Sequence, residues 1–114
     1  MPASLARINE RRDALALNAA RFDELRRIHE AVARQFDNPD SPKARDLLAQ
    51  AGCNIAKWEQ GHTCSPFYIR AWRRILRNPG PGLHRLVAHK AAMADAMLQN
   101  TPFGFALHDP AFRR

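Results

Sequence analysis

The chain is short of the residues that cross-link folds. It has only two cysteines, Cys53 and Cys64, too few for a disulfide framework. No Cys-x-x-Cys pair occurs. Cys53, His62 and Cys64, with His84 or His89 as a fourth donor, have spacings unlike those of tetrahedral zinc sites, so no metal is expected. β-branched residues are few and no stretch alternates with a period of two, which argues against a sheet. No apolar run approaches the ~20 residues that span a bilayer. The opening MPASLARINE lacks the apolar core of a secretory signal, and a cytoplasmic protein is expected. No glycine-rich phosphate loop is present, since Gly80-Pro81-Gly82 reads as a turn. Paired carboxylates are missing from the basic half. Ser65 is better used as a helix cap than as a nucleophile, and residues two apart, such as His62 and Cys64, do not face each other on a helix. No enzyme and no cofactor are expected.

The most informative absence is of negative charge. No acid occurs between Glu59 and Asp95, while Arg70, Arg73, Arg74, Arg77, Arg85 and Lys90 fall in that stretch, with His62, His84 and His89. Nearly all of the net charge of +7 is therefore gathered in one third of the 114 residues. Residues 1–35 carry seven arginines against five acids, a mixed solvated face. A concentrated basic patch binds phosphates by releasing counterions, and arginine also suits bidentate contact with phosphate or guanine.

The remaining composition, 46% hydrophobic and 25% charged, is that of one folded domain spanning residues 1–114. The pattern predicts an all-α fold: four main helices and a docked irregular tail. The first helix is expected over residues 4–36, with Ser4 as cap and Leu15, Phe22, Leu25, Ile28 (or His29), Val32 and Phe36 on its apolar stripe. At ~1.5 Å per residue it is about 45–50 Å long. Either its first turns project, or it breaks near Asn18, or it packs on a second copy as a homodimer.

The basic helical region covers residues 41–99. Ser41-Pro42 and Ser65-Pro66 each supply an N-cap followed by proline at the first helical position. Ala44, Leu48, Ala51, Ile55 and Trp58 line one side of the second helix, which Gly61 is expected to stop. Gly52 costs roughly 1 kcal/mol inside a helix, or else marks a turn between two short ones. In the third helix Tyr68, Ile69, Trp72, Ile75 and Leu76 fall opposite Arg70, Arg73, Arg74 and Arg77. The run Asn78-Pro79-Gly80-Pro81-Gly82 is expected to end it, and a fourth helix over residues 83–99 follows. The tail, residues 100–114, is expected to dock through Phe103 and Phe105 and to fray from His108. Trp58 and Trp72 are expected in the core.

The segment Ile55-Ala56-Lys57-Trp58-Glu59-Gln60-Gly61, followed by Ser65-Pro66 and a helix ending Ile75-Leu76, resembles the helix-turn-helix domain of the Xre and phage Cro-repressor type over residues 41–77. Leu47-Leu48-Ala49-Gln50-Ala51-Gly52 is similar to that family's first motif helix and its turn glycine. The turn is shortened, with only Cys53 and Asn54 between Gly52 and Ile55. The resemblance implies a DNA-binding regulator, bacterial or phage, in which Asn54, Lys57 and Gln60 face base edges. Phosphates would be held by Arg70, Arg73, Arg74 and Arg77, with Arg85 and Lys90 extending the patch. The alternative is an inhibitor, adaptor or antitoxin-like module that presents the same basic face to an acidic protein.

Overall fold

A computed structural model describes residues 2–89 and 91–112, with side chains described for residue 14 and from residue 17 onward. The side chain of Leu15 and the whole of Lys90 lie outside the described residues. Among the described residues the fold is all-α: helices α1 (Pro2–Gln35), α2 (Pro42–Gly61), α3 (Pro66–Leu76), α4 (Pro79–Ala88) and α5 (Ala92–Gln99), then a 3₁₀ turn at Gly104–His108. The sequence pattern predicts four main helices; the fourth is two.

Helix α1 starts at Pro2, two residues ahead of Ser4, and runs unbroken because neither glycine nor proline interrupts it. It closes with Phe36 N donating to Ala33 O (3.0 Å) and Asp37 N to Arg34 O (3.1 Å), and the Asn38-Pro39 turn prevents its continuing. Its body-facing residues begin at Leu25 and continue through Ile28, His29, Val32, Ala33 and Phe36, all buried. Residues 17–21 are exposed, and Leu17 keeps 72% of its surface. The first turns therefore project from the body, as the long axis of the 60 × 33 × 23 Å envelope reflects.

Around this helix the others close a small bundle. α1 packs on α4, α5 and the 3₁₀ turn; α2 packs on α3, and α3 on α4. The core joins Ile28, Val32 and Phe36 to Leu47, Ala51 and Ile55, to Ile69 and Trp72, and to Leu83 and Met97. Leu48, assigned from sequence to the stripe of α2, is partly exposed, and Leu47 takes the buried position.

Three boundaries differ from expectation for local reasons. Helix α2 passes through Gly52 without a turn; its propensity cost is outweighed by Ala44, Leu47, Ala51 and Ile55, which one continuous helix buries on a single side. Helix α4 begins within the Pro-Gly-Pro-Gly run, at Pro79. The first four N–H groups of a helix have no intrahelical partner, so Pro79 and Pro81 remove donors that would go unused. The first backbone bond of this helix is Gly82 N to Asn78 O at 3.1 Å. Gly82 also lies against α3, where an added Cβ would come within 3.2 Å of the Ile75 carbonyl oxygen. The break between α4 and α5 carries no glycine or proline, and nothing in the local sequence Ala88-His89 marks it.

The tail is a structural element. Pro102, Phe103, Ala106 and Phe112 are buried, and Phe103 sits among His29, Phe36, Trp72 and Phe105 at ring-centroid distances of 6.1–6.3 Å. The fraying expected from His108 does not occur through residue 112. Phe112 N donates to Asp109 O (3.0 Å), Lys43 pairs with Asp109 (3.3 Å), and the Lys43 ammonium lies 5.1 Å from the centre of the Phe112 ring. Both ends of this segment are thus tied to α2 or to its own turn.

At the centre of the fold His29 is fully buried. Its Nδ1 lies 2.7 Å from Leu25 O and its Nε2 2.7 Å from Thr101 Oγ1. A carbonyl only accepts, so Nδ1 carries the proton and donates to Leu25 O, and Nε2 accepts from the Thr101 hydroxyl. Thr101 Oγ1 in turn accepts from Phe103 N (3.0 Å). Burial lowers the His29 pKa from 6.5 to about 4, against a smaller opposing effect of the Leu25 carbonyl, and the imidazole is neutral.

Candidate nucleic-acid interface

The basic face is built on α3. Ser65 caps this helix by accepting from Phe67 N (3.3 Å), and Pro66 opens it. Ile69 and Trp72 turn inward and are buried, which fixes the rotation of the helix about its axis. Arg70, Arg73, Arg74 and Arg77 consequently point outward and are exposed. At ~100° per residue they cover an arc of about 100°. Together they line one shallow concavity of about 210 Å³. Arg73 and Arg74 also lie in the last turn of α3, where the helix dipole favours cations.

Neighbouring elements continue this face on both sides. Toward α4, Arg74 joins Arg85, His89, Asn78, Ile75 and Leu86 along a groove of about 360 Å³. Toward α2, Arg70 joins Trp58, Glu59, His62, Cys64 and Ile69 around a cleft of about 420 Å³. Arg70 and Arg74 are therefore shared walls, and the three depressions form one band around α3. Among the described residues, Arg73 alone of the five arginines forms an ion pair, with Glu59 of α2. That pair is about half exposed and contributes little to stability.

The turn between α2 and α3 sets the cleft. α2 ends with His62 in the left-handed region (φ 51°), its N–H bonded to Trp58 O. Thr63 N donates to the same carbonyl at 3.2 Å. The left-handed position is thus His62, one residue beyond Gly61, where the sequence places the stop. A left-handed non-glycine residue carries a backbone cost of roughly 1 kcal/mol.

The three base-reading candidates do not join this band. Asn54 is half-buried and its Nδ2 donates to Pro102 O at 2.8 Å, so it holds the tail instead of facing outward. Lys57 and Gln60 are exposed on α2. Lys57 lies about 60° around the axis from Asn54 and about 160° from Glu59, which meets α3; Gln60 lies about 120° from Asn54 and about 100° from Glu59, and neither lines the three depressions. Because α2 is unbroken, the turn at Gly52 that the resemblance implies is absent from its place. Trp72 is fully buried as expected, whereas Trp58 is half-buried and lines the cleft. Periodicity assigns Trp58 to the core stripe; only the approach of α3 reveals its open side.

Both cysteines are free thiols, Cys53 exposed on α2 and Cys64 partly buried in the turn. Among the described residues no three metal-ligating side chains come together, and no helix is long and apolar enough to cross a membrane. No family model, curated protein or solved structure matches this chain.

Proposed function

We propose that this chain is a small DNA-binding protein of the kind found among bacterial and phage regulators. The observation that carries this reading is the exposed arginine face of α3, continued by Arg85, in a stretch of chain with no acid between Glu59 and Asp95. Arg70, Arg74, Arg77 and Arg85 make no ion pair among the described residues, so binding phosphates does not require breaking one. In this proposal α2, the turn 62–65 and α3 act as the helix pair of a helix-turn-helix reader, and α3 lies on the duplex. The projecting start of α1 supplies the surface for a two-fold dimer, which would pair two half-sites.

Fluorescence anisotropy on a mixed-sequence duplex across a salt series tests this. Replacing Arg70, Arg74 and Arg77 together by alanine should weaken binding and make the salt slope shallower by about 2–3 units, near 0.9 per phosphate contact. Equal affinity and slope for the two proteins would overturn the proposal.

A second reading, an acidic protein partner, draws on the α3–α4 groove, where Ile75 and Leu86 form an apolar floor between Arg74 and Arg85. Salt weakens both kinds of complex, so competition decides. A DNA reader retains its duplex against heparin or an acidic protein at matched charge, whereas a module built for an acidic partner releases it.

A further inference from the structure

We infer that the cleft between α2 and α3 receives a single unpaired nucleobase whose phosphates rest on the arginine face. This rests on the DNA-binding reading and adds what the same face selects. The cleft, about 420 Å³, falls within the usual size range of small-ligand sites. Its walls are chiefly apolar, from Trp58, Cys64, Pro66 and Ile69, with Glu59, His62 and Arg70 as polar groups. Arg70 also borders the arginine concavity, so one side chain connects the place for a base with the place for its phosphate. An aromatic wall beside arginines is the arrangement by which proteins stack splayed bases.

Glu59 gives the cleft a chemical preference. A carboxylate repels phosphate, yet Glu59 is the one acid among the residues that line the three depressions. Its Oε1 is engaged by Arg73. A carboxylate has about four acceptor sites, so capacity remains for an amino group on a base. Cytosine presents such a donor at N4, where thymine presents the O4 acceptor. The cleft therefore favours cytosine over thymine, two bases of the same ring size.

The test compares three labelled duplexes: one fully paired, one with a single central unpaired cytosine, and one with an unpaired thymine. Anisotropy gives affinity and salt slope. Tryptophan emission reports on Trp58, because Trp72 is fully buried. The wild-type protein should bind the unpaired-cytosine duplex at least about fivefold more tightly than the paired one. The salt slope should stay the same, since stacking releases no counterions. Emission should be quenched only by the duplexes with an unpaired base, and thymine should bind more weakly than cytosine. Glu59→Gln removes a negative charge and should strengthen binding to all three duplexes while abolishing the preference for cytosine. Cys64→Met, which fills the cleft, should shrink the gain from an unpaired base. Affinities within twofold for the three duplexes, with unchanged emission, would overturn the inference and leave the arginine-dependent binding standing. Absence of arginine-dependent binding to any duplex would overturn the DNA reading itself, and this inference with it.

Discussion

Acidification should destabilise this protein through one buried imidazole. His29 is enclosed by the Leu25 carbonyl, the Thr101 hydroxyl and the rings of Trp72 and Phe103, with no charged group among these contacts. Its folded pKa is lowered to about 4, against 6.5 for a histidine in the unfolded chain. Between these values the unfolded chain binds a proton that the folded protein refuses. Stability is therefore full above pH 6.5, falls as the pH drops toward 4, and levels off below that as far as this group is concerned. About two pH units within the window correspond to about 2–3 kcal/mol at ~1.36 kcal/mol per unit. Urea unfolding followed by far-UV circular dichroism at pH 7.0 and 4.5 measures this. The comparison protein is His29→Gln, which has both a donor and an acceptor but does not titrate, so carboxylate contributions cancel in the difference. For an m-value of 1–3 kcal/mol/M, the wild-type midpoint should fall by about 1–3 M more than that of the variant. Equal shifts for the two proteins would refute the assignment of a neutral, enclosed His29.

Two glycines should respond oppositely to alanine. Gly52 lies inside α2 with nothing within 4 Å of an added Cβ, so Gly52→Ala should raise stability by about 0.5–1 kcal/mol. Gly82→Ala would push a methyl group against the Ile75 backbone at 3.2 Å and should lower the melting temperature despite the same gain in helix propensity. Thermal melts of both variants check the pair, and a stabilised Gly82→Ala would show that α3 and α4 separate easily. Phe103→Ala should cost about 3–5 kcal/mol, because it empties the centre of the aromatic cluster, and chemical denaturation would show it. A loss below ~1 kcal/mol would mean that the tail does not dock in solution.

Much of the architecture was legible because it is written in local signals. Ser41-Pro42 and Ser65-Pro66 mark helix starts by chemistry that needs no tertiary partner. The arginine face follows from a period of 3.6 imposed on Ile69 and Trp72. Other features depend on partners distant in sequence. Asn54 reads as an outward polar residue until Pro102, 48 positions later, is seen to take its amide. Trp58 reads as core until the turn held by His62 brings α3 across only part of it. The Pro-Gly-Pro-Gly run misleads for a different reason. Proline signals both the end of one helix and the first turn of the next, and here it does both, since α3 ends at Leu76 and α4 begins at Pro79.

The docked tail also bears on how the chain matures. Phe103 and Phe112 fill the core formed largely by helices that precede them in synthesis, and His29 waits for Thr101 to complete its hydrogen bonding. A nascent chain that has emerged only as far as α5 therefore exposes Ile28, Phe36 and Trp72 without their central aromatic partner. Such a chain is the species that chaperones would hold and proteases would cut. Docking of the tail, more than the formation of any helix, then separates the protected protein from its vulnerable precursor.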